Sequence, residues 1–81
     1  MSSRSKLWKL IDNRVKVTIA DKRRLIGTLK SFDKHLNLIL ADTIEERTVK
    51  SKTKGTSRRI IKRPLGLLIL RGDQVVSVTA N

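Results

Sequence analysis

The sequence predicts an all-β domain in which a short N-terminal helix precedes five antiparallel strands curled into a small open barrel. Three observations lead there. From Arg14 apolar residues recur at a period of two, and further on short apolar runs are separated by turn-forming clusters. The 81 residues have room for one small core, so the prediction is a single domain over 1–81. A five-stranded sheet this short buries its apolar faces only by curling on itself.

The elements follow in order. Residues 5–11 read as the helix: Ser5 can cap it, and Leu7, Trp8, Leu10 and Ile11 fall at helical spacings. So short a helix survives by packing, and Trp8 beside Leu and Ile reads as a packing anchor rather than a base-stacking platform. From Arg14, Val15, Val17 and Ile19 form one face of a half-buried strand. Asp21-Lys22-Arg23 turns the chain into a second strand, Leu25–Phe32, in which Gly27 suggests a bend or bulge. A third strand runs from Leu36 to about Ile44. Residues 47–57 read as a polar loop with Gly55-Thr56-Ser57 as its most flexible part. The fourth strand spans Ile60–Leu70, and Arg71-Gly72-Asp73 turns it into the fifth at Val75–Val78, with glycine supplying a positive φ. Apolar edges on strands four and five argue for an oligomer built by strand addition.

Charge narrows the partner. The formal net charge is +12, and residues 47–63 carry eight basic side chains and no acid. A polyanion is the matching ligand. The chain has no long apolar run and no apolar segment after its first residues, so neither a membrane span nor a secretory signal is expected. An interfacial lipid anchor lacks its apolar helix face.

Catalysis finds little support. There is one histidine, His35, and no cysteine, which leaves too few ligands for a metal site and no nucleophile arrangement. No cofactor motif or glycine-rich phosphate loop is present. Glu45 and Glu46 are adjacent and point to opposite faces of a strand. Binding fares better. Phe32-Asp33-Lys34-His35-Leu36-Asn37 and Arg71-Gly72-Asp73 interrupt apolar runs. Single-stranded RNA is read by stacking splayed bases on flat side chains and bonding their edges. His35 and Arg71 are flat, and Asn37 has a donor and an acceptor on one carboxamide. An ordinary turn, in which Asp33 and Asn37 bond their own backbone, explains the first cluster equally well.

These two clusters resemble the motifs of the Sm family of RNA-binding ring proteins. The first motif spans 27–41 through Gly27, Phe32-Asp33-Lys34-His35-Leu36-Asn37 and Leu38-Ile39-Leu40; the second, within 65–78, is Leu70-Arg71-Gly72-Asp73. The stretch Arg63-Pro64-Leu65-Gly66-Leu67-Leu68-Ile69-Leu70-Arg71-Gly72 is similar to one that marks a particular spliceosomal subunit type among its sisters. The resemblance implies the Sm fold, a strongly bent five-stranded sheet of SH3-like barrel type. It implies a non-enzymatic subunit of a heteroheptameric ring on the uridine-rich site of small nuclear RNAs, acting in pre-mRNA splicing. Such a protein is nuclear with a cytoplasmic assembly phase, and it joins other Sm proteins through the edges of strands four and five. By the same resemblance His35 and Arg71 sandwich a uridine, and Asn37 bonds its edge. Gly72 permits close approach, Asp33 braces the loop and Lys34 serves a phosphate. The basic segment 47–59 corresponds to the variable loop between strands three and four. The alternatives are a homomeric or Sm-like ring in RNA decay or chaperoning, and a mainly structural ring subunit.

Three departures from the family pattern carry expectations. Lys22 stands where glycine usually follows the aspartate of the first hairpin, so that turn is either strained or differently shaped. Leu36 replaces a methionine without a volume change that would disturb the loop. Pro64, lacking an N–H, belongs at a bulge or on an outward edge.

Overall fold

The computed structural model describes residues 3–50 and 58–81, so the flexible tip expected at Gly55-Thr56-Ser57 lies outside the described residues. A 3-10 helix covers Ser3–Leu10, followed by β1 (Arg14–Ile19), β2 (Arg24–Phe32), β3 (Leu38–Lys50), β4 (Arg58–Leu70) and β5 (Val75–Ala80). The sheet order is β4-β3-β2-β1-β5, with every pairing antiparallel. The fold is the all-β, helix-capped, five-stranded bent sheet that the sequence predicts.

Alternation decides the core. Val15, Val17 and Ile19 of β1 are buried, as are Leu25 and Leu29 of β2 and Leu38 and Leu40 of β3. Leu7 and Leu70 close the cluster. The sheet bends where its ladders slip. Register shifts fall between Ile26 and Thr28 across Gly27, and between Leu40 and Ile44 on β3 against β4. Pro64 sits opposite Ile44 beside that second shift, on an edge strand where its missing N–H does no harm.

Four expectations need correction. The helix is of 3-10 type and begins at Ser3, so Ser5 lies inside it instead of capping it; a helix of eight residues gains too little from α-helical bonding to propagate. The anchor of that helix is Leu7, 3% exposed, whereas Trp8 is 63% exposed with Lys9 Nζ 5.8 Å from its ring centroid. Helical spacing alone does not tell which of two neighbouring apolar residues points inward. Strand three starts at Leu38 and runs through residues 47–50, because Arg47, Thr48, Val49 and Lys50 pair with Ile61, Ile60, Arg59 and Arg58. A ribbon solvated on both faces tolerates a polar composition that reads as loop. Finally, β4 and β5 do not form a hairpin. They are the two sheet edges, joined through a 3-10 turn at Gly72–Gln74, and Gly66, not Gly72, carries a positive φ of 75°.

Candidate nucleic-acid interface

The β2–β3 loop is organised by Asp33. Its Oδ1 accepts the backbone N–H groups of His35 (2.8 Å) and Asn37 (3.0 Å), and its Oδ2 accepts Asn37 Nδ2 at 2.8 Å. Donation from the Asn37 carboxamide, then from the Asn37 and His35 backbone, holds the Asp33 carboxyl below the usual aspartate range. A backbone bond from Leu36 N–H to the Asp33 carbonyl (3.0 Å) closes the turn, and Leu36 takes a left-handed φ of 63°. The Asx-type bonding that an ordinary turn would show is therefore present in full.

That turn is also locked to the second loop. The Gly72 N–H donates to Asn37 Oδ1 at 2.8 Å across 35 residues of sequence. A Cβ on Gly72 would fall on the His35 carbonyl oxygen, 2.9 Å from the His35 carbonyl carbon and 3.0 Å from that of Leu36. Steric contact, not backbone conformation, requires glycine here, because the two loops touch main chain to main chain.

Interlocking the loops brings the candidate residues to one concavity. Asp33, His35, Asn37, Arg71 and Gly72 line it together with Phe32, Leu36, Ile39, Ile69 and Asp73. His35 is exposed, and Arg71 is 80% exposed with Nη2 3.1 Å from Asp73 Oδ2. That bond occupies Nη2 and leaves most of the side chain exposed. Asn37 uses one lone pair on Gly72 and one proton on Asp33, so its carboxamide retains one acceptor site and one donor for a ligand. Lys34 is exposed beside the loop and does not line the concavity.

Sequence reasoning missed two contributions. Asp73 orients Arg71, a role suggested only by its position two residues on in a turn. Ile39 and Ile69, directly opposed across β3 and β4, supply an apolar wall, with Ile69 73% exposed. Their spacing in sequence gave no sign of that pairing.

Comparisons with known proteins show what the chain is similar to. The LSM domain model matches residues 5–80. The probable small nuclear ribonucleoprotein-associated protein B of Caenorhabditis elegans is 37% identical over 81 residues, covering 100% of this chain and 51% of that protein. Small nuclear ribonucleoprotein-associated protein B of Saccharomyces cerevisiae is 42% identical over 89 residues, covering 95% of this chain and 45% of the relative. The human U6 snRNA-associated Sm-like protein LSm8 is 39% identical over 74 residues, 91% of this chain and 71% of LSm8. Among solved structures, a chain in the crystal structure of the NatC complex bound to CoA superposes with a TM-score of 0.71 at 25% identity, covering 93% of this chain and 83% of that one. The chain spans about half the length of these B-type relatives.

Proposed function

Because the chain belongs to the LSM domain family, we propose that it is a non-catalytic, RNA-binding subunit of a spliceosomal Sm ring. It acts in pre-mRNA splicing by holding one uridine of the uridine-rich site of a small nuclear RNA. The B-type relatives at 37–42% identity support the assignment to a small nuclear ribonucleoprotein. It operates in the nucleus after assembly in the cytoplasm.

One observation carries the binding reading. The Gly72 N–H to Asn37 Oδ1 bond joins two loops so that an imidazole, a guanidinium and a half-satisfied carboxamide share one concavity. In that arrangement His35 and Arg71 stack on the base, and the remaining donor and acceptor of Asn37 meet its edge. Lys34 meets a phosphate from the rim.

The free edges of the sheet support the ring. Strands β4 and β5 each have only one hydrogen-bonded neighbour in the sheet. Leu67 and Ile69 on β4 and Val76 on β5 are 71%, 73% and 66% exposed. Pairing β4 of one subunit with β5 of the next, in other LSM-domain chains, satisfies both edges and covers these side chains. Native mass measurement of the chain alone and with candidate neighbours separates a heteromeric from a homomeric ring.

The test of the pocket is Arg71→Ala in an assembled ring. Loss of one stacked base weakens oligouridine binding by about 1–3 kcal/mol. Unchanged affinity, or failure of 4-thiouridine RNA to crosslink at His35 or Arg71, would favour a structural subunit instead.

A further inference from the structure

β4 is longer than the strand that a ring gives it as a partner. It has thirteen residues, whereas β5 has six. The exposed Leu67 and Ile69 that a neighbour's β5 covers lie within the last six residues of β4, 65–70. Behind them the edge is interrupted. Gly66 has a positive φ of 75°, the β3–β4 register shifts on either side of Thr43, and Pro64 has no N–H to give a further strand. A strand of β5 length laid on 65–70 therefore ends at Pro64. Residues 58–63 are left as a separate open edge.

That second edge borders a thin part of the fold. β2 follows β3 only as far as Glu46, opposite Arg24, so residues 47–50 and 58–61 project as a two-stranded ribbon. Two strands alone are marginally stable, and a third strengthens them. Ile60 and Ile61 stand on opposite faces of the ribbon, 60% and 37% exposed. Each is flanked on its own face by cations, Ile60 by Arg58 and Lys62, Ile61 by Arg59 and Arg63. Lys62 and Arg63 lie 3.5 and 3.4 Å from Glu46 and Glu45. Arg58 and Arg59 make no salt bridge among the described residues.

We propose that residues 58–63 are a docking strand for an extended acidic segment of a second protein, which joins the sheet as an added strand. The proposal rests on the ring reading given above, which assigns 65–70 to the neighbouring subunit. Along the edge run two cations, two isoleucines and two cations. The complementary strand carries two acids, two apolar residues and two acids. That pattern is the same in both directions, so a parallel or an antiparallel segment satisfies it. A second copy of this ribbon does not fit, because Arg58, Arg59, Lys62 and Arg63 would face like charges; cations on an edge prevent such pairing. A nucleic-acid backbone neutralises the cations, but it offers the isoleucines no apolar partner and the strand no row of amide groups.

The experiment titrates the assembled ring with a capped peptide, Asp-Glu-Val-Ile-Glu-Asp, and follows binding by fluorescence anisotropy and by amide hydrogen exchange. The peptide protects amides within 58–63 and leaves unchanged those of 65–70, which assembly has already protected. Ile60→Thr with Ile61→Thr keeps β-branched strand formers. It weakens peptide binding by about tenfold through lost apolar burial. Arg58→Gln with Arg59→Gln weakens binding and flattens its salt dependence. Only every second residue of an added strand turns its N–H toward β4. N-methylation of one alternate set of peptide residues therefore abolishes binding, and methylation of the other set preserves it. Oligouridine affinity stays at the wild-type value in both variants. Absence of binding up to about 1 mM peptide overturns the docking strand. Binding that the isoleucine variant and both methylated peptides leave unchanged also overturns it. An isoleucine variant that weakens an RNA with a stem beside its uridine tract, and not the peptide, assigns the edge to nucleic acid and refutes the proposal. Amides of 65–70 left unprotected by assembly overturn the ring reading, and with it the division of β4 on which the proposal rests.

Discussion

Gly72→Ala tests the interlocked loops most directly. The added methyl would overlap the His35 carbonyl oxygen and press on two further backbone carbons at 2.9 and 3.0 Å. Non-bonded carbons relax near 3.5–4.0 Å and the overlapped oxygen has further to move, so the His35–Leu36 peptide must retreat by about 1–1.5 Å. That retreat pulls on the 2.8 Å bond from Gly72 to Asn37 and, through Asn37, on the bonds to Asp33. Overpacking of this kind costs about 1–3 kcal/mol, and loss of the interloop hydrogen bond adds about 0.5–1.5 kcal/mol. A total near 2–4 kcal/mol lowers the melting temperature of a domain this size by about 10–25 °C. The control is Gly66→Ala. Gly66 has a φ of 75°, and a methyl added there would meet no atom within 4 Å, so only backbone strain of about 1 kcal/mol applies. Thermal unfolding of both variants in the same assembly decides the matter. If Gly72→Ala melts no lower than Gly66→Ala, the loops are not locked through this contact.

Further outcomes follow from single groups. Thr43 Oγ1 is buried without a hydrogen-bond partner, so Thr43→Val raises the melting temperature, by about 1 kcal/mol of stability; a lower melting temperature would mean that the hydroxyl is satisfied. Lys22→Gly is stabilising by about 0.5 kcal/mol, since the strain at φ 74° outweighs the flexibility that glycine adds to the unfolded chain; a clear fall in melting temperature would refute the left-handed turn. Asp33 has a lowered folded-state pKa, so its bracing is fully present above about pH 4 and is lost as pH falls through that lowered value. The backbone amide resonances of His35 and Asn37 then titrate together with a midpoint below about 3.9, and Asp33→Asn removes the transition. A midpoint at or above that value would contradict the bonding described.

How much of this was legible in the chain depends on the range of the interaction. β1 and β2 read correctly because their alternation of apolar and polar residues is a local signal, and β5 because a valine-rich run follows a turn cluster. The bend at Gly27 and the edge position of Pro64 also read correctly, since one lacks a Cβ and the other an N–H. The extension of β3 through Lys50 did not, because its pairing with Arg58–Ile61 overrides a composition that resembles loop. Trp8 and Leu7 exchanged places for a similar reason: so short a helix leaves its rotation to the surface it packs on.

The sequence by itself determined the fold class, the order of its elements, the strongly basic charge of the chain and the two clusters that meet in the site. A period of two, turn residues and charge are properties of neighbours along the chain, and they need no third dimension. The brace at Asp33 acts over two and four residues and was already implied by the resemblance, whereas only the tertiary structure decided that Gly72 is a steric necessity. It also decided that Asn37 keeps just half of its carboxamide for a ligand. Those facts depend on residues 35 positions apart arriving within hydrogen-bond distance. The same folding brings Lys22, from the turn between β1 and β2, beside Arg47 and Arg58 of the basic segment at the opposite end.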